Sequence, residues 1–572
     1  MANQTQNLPQ VLLKPAATAT APSVLNSSQP TYGAPAPAVG GTFPSMLPVG
    51  GQSGITGGTI VPFVGLWKTP AIDGASYSSI GMQVDYQHIK GQAGTGSAAL
   101  LGNIATPATW QMEASIDGLS WLKLTATNAP GIVNANTITQ AIEASLWNAP
   151  LNKPAYRFFQ SRLVLAGGAA VFAAAMTAPA TLPQNGTSLC FSPDGLVMFY
   201  GTSTTPYLEA FNLSALTATT MTFTANVAAT ALTVTTATDM DCIGPFVVNQ
   251  VAQYYVAIAG AATPYNVIAT YSVAGGWSAY QAYPALAGAA LAVKWVPGIS
   301  NPNAQVVFFG FTGGTGMAAY SYNAGTGGLG SILTTNVSSA GLALPATGAN
   351  VSAIDISKDG TILITGESST PFTHMFSLNA NAFATAPITG FAANPAALPA
   401  AAVVCVSISP YSEAVVLVLG ATVESYQIFK ASPTGTIPGL GGFSASNFIN
   451  YSTNPSGLYW GGQQQITTVT LGPATWGVHH PNGSLFTVGT STGTPFEKSY
   501  PVADFVTGYL GTAETAPTAI ANATACLQVK WHPNGQYLAS ANTSSAAAGS
   551  AGAKAYLMDA NISCTLFGSS YI

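Results

Sequence analysis

The sequence predicts an all-β protein: an extended low-complexity arm over residues 1–55, a small jelly-roll-like β-sandwich over 56–168, and a seven-bladed β-propeller over 169–572. Three observations carry this. A turn signature recurs seven times with a base step of 52 residues, which suits one four-stranded blade per repeat. Residues before each turn alternate with period two, as a strand demands and a helical solenoid does not allow. An Asp-Gly hairpin lies upstream of the repeats, flanked by alternating side chains.

The arm is rich in Pro, Gly, Ala, Ser and Thr and has no periodicity, so it reads as an extended segment held by other subunits. In the sandwich region the strand candidates are 59–67, 80–89, 109–115, 121–125 and 156–165. The hairpin signal runs from Trp110 to Trp121, with Asp117 and Gly118 at its turn. This segment resembles the hairpin of discoidin-like jelly rolls and of some bacteriophage virion proteins, and Tyr156 to Leu163 resembles their closing strand. The resemblance implies a docking or binding module. Leu163 to Ala180 is apolar and free of charge, but Gly167, Gly168 and Pro179 interrupt it. It reads as a strand end, a linker and a strand start, not as a membrane span.

The clearest repeat copies carry Pro193-Asp194-Gly195, Lys358-Asp359-Gly360, Pro481-Asn482-Gly483 and Pro533-Asn534-Gly535. Weaker copies end at Pro245, Pro297 and Pro410, so inner strands are expected to end near 193, 245, 297, 358, 410, 481 and 533. Asp-Gly and Asn-Gly supply the positive φ that such turns need. A strand, this turn, a strand, a loop and a strand resemble the WD40-like propellers, although the Trp-Asp signature of that family is absent. Three places before the mark stand Cys190, Cys242, Lys294, Asp355, Ser407, Val478 and Lys530. Lys294 and Asp355 are opposite charges at matched positions in consecutive blades, so they are expected to meet near the channel wall.

Composition narrows the function. Lys+Arg is 13 and Asp+Glu 18, so charged residues make up 5% and the net charge is −5. Basic residues stand singly, which opposes nucleic-acid binding. A surface this poor in charge favours self-association, hence a homo-oligomer or a subunit packed in a larger assembly. The N-terminal residues show neither the basic nor the apolar region of a secretory leader. Five Cys without a C-x-x-C pair oppose a disulfide framework or a zinc site.

No catalytic, cofactor or metal site is expected. Metalloprotease, nucleophile-elbow and phosphate-loop patterns are missing. His480 and His532 hold the same repeat position, which favours a structural role over metal ligation. Asp117, Asp194 and Asp359 belong to turns, and Asp239, Asp241 and Glu367 do not form a recognisable glycosidase pair. The stretch from Ser115 to Trp121 has a sialidase-like look, but its Gly comes one place early. Exposed aromatic rings leave host surface carbohydrate as a possible ligand of the sandwich or propeller.

With its arm, sandwich and propeller, the chain resembles bacteriophage virion proteins, in particular tail nozzle or fibre-like receptor-binding subunits. The resemblance implies a structural protein that assembles in the host cytoplasm and works in the virion. The alternatives are a capsid decoration protein, a propeller-type hydrolase (a polysaccharide depolymerase or lactonase-like enzyme), and a surface adhesin.

Overall fold

The computed structural model describes residues 185–542 apart from short loops and the longer stretches 336–349, 431–457 and 511–524, together with strands on either side of that region. The fold is all-β, and its body is a β-propeller.

Six blades are each an antiparallel sheet of four strands in chain order. Blade 1 holds Gly186–Phe191, Val197–Thr202, Leu208–Leu216 and Met221–Ala228. Blade 2 holds Ala237–Val248, Val251–Gly260, Asn266–Ser272 and Gly276–Ala282. Blade 3 holds Ala290–Trp295, Gln305–Phe311, Met317–Asn323 and Gly328–Thr335. Blade 4 holds Val351–Ile356, Ile362–Glu367, Thr373–Leu378 and Ile388–Phe391. Blade 5 holds Cys405–Ile408, Ala414–Val418, Thr422–Lys430 and Leu458–Thr468. Blade 6 holds Ala474–His479, Leu485–Thr490, Glu497–Asp504 and Tyr509–Leu510.

A further sheet joins distant parts of the chain. Cys526–Trp531, Tyr537–Asn542 and Ser550–Ala553 follow one another, and Phe172–Met176 pairs with Ser550–Ala553 as the outer strand. Its inner strand packs between those of blade 6 and blade 1, so the inner strands form a closed ring. This is called the closing sheet below.

Turn chemistry explains why each inner strand ends where it does. In blade 1 Ser192 Oγ donates to Asp194 Oδ1 at 2.6 Å, and that oxygen also accepts from the Leu196 amide at 3.1 Å. Gly195 then takes φ +73°, which a Cβ would oppose. Ser357, Asp359 and Gly360 repeat the arrangement in blade 4. In blade 5 Ser412 stands where the others have Gly, at φ +58°. Asn482, Asn534 and Gly535 lie outside the described residues.

Each sheet is packed between two neighbours, so its middle strands are apolar on both faces. Val197–Thr202, Gln305–Phe311 and Ile362–Glu367 are buried along their whole length. The core therefore consists of clusters set between blades. One joins Phe199 of blade 1 to Tyr254 and Tyr271 of blade 2, and another joins Trp295 and Phe309 of blade 3 to Tyr255 of blade 2. With so much strand surface enclosed, few positions remain where a charge is cheap.

Outside the propeller, beside the two-stranded pair of Trp147–Asn148 with Lys153–Pro154, the described residues form two larger sheets. One orders Thr5–Leu13, Asp559–Ser569, Ser79–Ile89 and Thr137–Ala144. The other orders Leu66–Lys68, Phe158–Val164, Thr109–Ser115 and Leu122–Asn128, with Ile72–Asp73 also on Phe158–Val164. Thr109–Ser115 and Leu122–Asn128 form a hairpin in which Ala114 faces Leu122, and Trp110 lies on its first strand, opposite Thr127. Asp117, Gly118 and Trp121 lie outside the described residues, as does most of the stretch 1–55. Thr5–Leu13, within that stretch, is a strand paired with Asp559–Ser569. No helix among the described residues is long and apolar enough to cross a membrane.

Candidate functional site

Among the described residues, the inner strands carry a dense set of interacting polar groups, and Lys294 and Asp355, the pair that the charge pattern had pointed to, belong to it. Their mutual register comes from a shared irregularity. Pairing with the second strand slips by one residue just before Ser188, Asp239, Ala292, Ala353, Trp476 and Gln528. Two places further on stand Cys190, Asp241, Lys294, Asp355, Val478 and Lys530, and the blade 5 equivalent is Ser407.

This corrects the sequence register in blade 2. Asp241, not Cys242, matches Lys294. Pro245 is not the turn residue there, because the strand continues through a bulge between Ile243 and Phe246 to a turn at Asn249 and Gln250. A register set on Pro245 is therefore one residue late.

The corrected alignment yields an ion triad. Lys294 Nζ lies 3.5 Å from Asp355 Oδ1 in blade 4 and 3.9 Å from Asp241 Oδ1 in blade 2. Burial alone would lower the Lys294 pKa, but Asp241 and Asp355 outweigh it and hold the ammonium above its ordinary value. The side chains are 18–27% exposed, so each charge keeps some contact with solvent.

Each carboxylate also serves the next blade. Asp241 Oδ2 accepts from the Trp295 amide of blade 3 at 2.9 Å, and Asp355 Oδ2 from the Ile408 amide of blade 5 at 2.8 Å. Ser407 Oγ accepts from the His479 amide of blade 6 at 3.1 Å and shares a 2.9 Å hydrogen bond with His479 Nδ1. Burial lowers His479 to about 3, so its ring is neutral. The physical reason for the belt is that an innermost strand has an unpaired edge. Its amides need acceptors, and the neighbouring blade provides them.

A second row runs two residues earlier. Gln528 Oε1 accepts from the Leu189 amide at 2.5 Å across 339 residues of sequence. Gln528 Nε2 reaches past blade 1, where Ser188 is small, to Asp239 Oδ1 at 2.8 Å. Asp239 Oδ2 accepts from the Val293 amide at 3.0 Å. Burial raises the Asp239 pKa, against the lowering by Lys530, Val293 and Gln528.

Ser188 Oγ donates to the Ala237 carbonyl of blade 2 at 3.1 Å, and three further hydroxyls stitch alternate joints. Thr238, Ser352 and Thr475 donate to the carbonyls of Ala290, Val403 and Cys526, in or just before the next inner strand, at 2.7, 2.5 and 2.5 Å. At the turns, His532 Nε2 donates to the Gly195 carbonyl at 2.9 Å, and its ring meets Phe191 edge-on at 5.0 Å. His480 packs likewise on Trp531 at 4.7 Å. Asp194 Oδ2 accepts from Tyr254 of blade 2 at 2.8 Å. Gly483 ends its turn at φ +78°, and Pro481 and Pro533 directly follow His480 and His532.

The buried acids away from the belt include Glu367, Glu424 and Glu497. Glu367 Oε1 is 2.6 Å from His374 Nδ1 and accepts from Thr365 Oγ1 at 2.8 Å. Glu424 accepts from Tyr426 and Gln463, each at 2.8 Å. Glu497 lies at the joint of blade 6 with the closing sheet, where burial raises it to about 7. Sequence reading named Glu367 but not its His partner, and missed Glu424, Glu497, Gln528 and the three stitching hydroxyls. The recurrence of Thr238, Ser352 and Thr475 in alternate repeats is the one signal that could have found any of them. Among the described residues no three of His, Cys, Asp and Glu come together as a metal site.

Strand order and ring closure define the class: this is a β-propeller. Among solved structures the chain is similar to the β-propeller domain of Cps50 (Swd1) from Myceliophteria thermophila. The identity is 8%, the match covers 69% of this chain and 99% of that one, and the TM-score is 0.42. No family model and no curated protein matches the sequence.

Proposed function

We propose that this chain is a non-catalytic structural protein whose propeller is a rigid body for protein–protein contacts, and that it serves as a tail-associated subunit of a bacteriophage virion. The observation that carries the structural half is the use made of the belt. Asp239, Asp241, Lys294 and Asp355 each engage a backbone amide or a counter-charge of a neighbouring blade. Groups spent on joining blades are not free to act as acid and base at one bond. Support for the virion half is compositional: 5% charged residues suit a surface covered by other subunits.

In this reading the closing sheet is the seventh blade, which matches the seven turn marks. The two sheets built from 66–164 and from the strands at 5–13 and 559–569 form the sandwich, which then includes the last strand of the chain.

The test is assembly against activity. Purified protein should form a defined homo-oligomer by light scattering and should leave polysaccharides and lactones intact. Hydrolysis that disappears in Glu367→Gln or Asp241→Asn would establish the hydrolase alternative. A strictly monomeric protein at high concentration would defeat the subunit reading.

A further inference from the structure

Four joints of the ring carry a side-chain acceptor for an amide of the next inner strand. Among the described residues the joint between blade 6 and the closing sheet, like those between blades 1 and 2 and between blades 3 and 4, has none, and it alone has Glu497 buried against it. The belt position there is Val478, which cannot accept. Lys530 lies over the Trp476 ring at 4.7 Å from its centroid, a cation–π contact in place of an ion pair. The apolar side chains here are Leu485, Val529, Trp531 and Leu538 with Cys526. The Thr475 hydroxyl spans the joint, as Thr238 and Ser352 do at theirs.

Glu497 lies against this joint. It opens the third strand of blade 6, opposite Gly489, and is 2% exposed. The Ser540 hydroxyl and the Cys526 thiol of the closing sheet face it and favour its charged form, but neither reaches full hydrogen-bond geometry. Cys526 is packed so closely that a Cβ on Gly489 would come within 2.8 Å of its sulfur.

Few titratable groups surround this carboxyl. The strand Leu485–Thr490 supplies none. Ala474–His479 has only His479, whose ring is turned to Ser407 and Phe486. Cys526–Trp531 brings Cys526, with Lys530 committed to Trp476. Tyr537–Asn542 brings Ser540, and strand alternation turns Lys498 to the other face. Among the described residues, no cation on these strands balances a negative charge at Glu497.

We propose that the joint between blade 6 and the closing sheet is a proton-operated seam: the ring opens there first, when Glu497 gives up its proton. Opening hydrates the carboxylate and separates Cys526 and Ser540 from blade 6. The closing sheet, with Phe172–Met176 as its outer strand, then moves as one piece. The direction follows from linkage. An acid whose pKa is raised on closing stabilises the closed form most below its open-state value, about 4.5, and this is lost as pH rises through about 7.

Cys526 is a built-in reporter, and buried Cys190, Cys242 and Cys405 at other joints are controls in the same molecule. Peptide-resolved alkylation of the full chain with N-ethylmaleimide should be measured at pH 6 and pH 8.5. The ratio of the Cys526 rate to the Cys405 rate should rise about tenfold between these pH values. In Glu497→Gln, which keeps shape and hydrogen bonding, the ratio should stay flat. Ser540→Ala removes a donor that favours the charge, so it should move the rise to higher pH. This variant also serves if Glu497→Gln does not fold. A constant ratio in the native chain, a rise that persists in Glu497→Gln, or a rise in Ser540→Ala at unchanged pH would each overturn the proposal.

Discussion

The joints of blade 3 and the joint between blade 6 and the closing sheet solve one problem in different ways. At blade 3 a lysine lies between two aspartates, each of which also caps an amide of the next strand. At blade 6 the same register position is Val478, the cation rests on an indole, and the nearby acid is buried with no counter-charge. The first joint is held by opposed charges and the second by packing around a group that must remain protonated. A repeat fixes where strands lie, but the chemistry at one register position sets how firmly neighbours hold each other.

The largest expected effect comes from removing the acid that serves two purposes. Asp355→Leu strands the Ile408 amide and takes one counter-charge from Lys294, so urea unfolding of the propeller should show a loss of about 3 kcal/mol. A loss below about 1 kcal/mol would mean that the charged joint is no firmer than the packed one.

Two glycines sharpen the comparison at the turns. Gly195 and Gly298 both have positive φ, at +73° and +81°. A Cβ on Gly195 would lie 2.5 Å from the His532 ring, whereas Gly298 has open space around it. Gly298→Ala should cost about 1 kcal/mol for backbone strain alone. Gly195→Ala should cost about 2–3 kcal/mol, because His532 must also give up its seam contact. Equal losses would show that His532 does not brace the ring.

The comparison can be tested by trying to erase it. Val478→Asp places an acceptor where Asp355 and Asp241 stand in their blades, within reach of the Trp531 amide and beside Lys530. It should stabilise the propeller by about 1 kcal/mol at pH 7. Destabilisation would show that Val478 packs in a way its counterparts do not.

The smallest effect is a coupling. In a double-mutant cycle of Lys294→Met with Asp355→Leu, the interaction energy should be at least about 0.5 kcal/mol. The remaining Asp241 keeps it modest, and strictly additive losses would mean that the 3.5 Å contact carries no energy.

What could be read from the sequence follows this same line between local and distant encoding. Turn residues such as Asp194, Gly195 and Gly360 act on their own segment, so inner strands were placed within two residues in five of the six blades. Lys294 and Asp355 were paired because both inner strands end two residues before their marks, at Trp295 and Ile356. Asp241 escaped because its strand runs on past Pro245, so the turn signature misplaced it by one residue. Gln528 and Ser407 act on backbone amides of other blades, and no side-chain code marks an amide as a partner. Glu497 looks like an ordinary exposed strand acid until Cys526 and Ser540 are set against it. The pairing of Phe172–Met176 with Ser550–Ala553 leaves no trace in either segment alone.

That last pairing also sets the order in which the molecule can be made. Blades 1 to 6 each pair strands that are neighbours in sequence, so each can form as it leaves the ribosome. The closing sheet cannot, because its outer strand emerges early and waits for partners about 380 residues downstream, a loop whose closure costs on the order of 5 kcal/mol in chain entropy. Until Ser550–Ala553 appears, Phe172–Met176 has no partner in that sheet and blade 1 has an uncovered flank. The nascent chain thus carries a sticky strand edge until that segment emerges. Closure of the ring is therefore a late step in assembling the propeller, because it waits for the strand Ser550–Ala553 to be made.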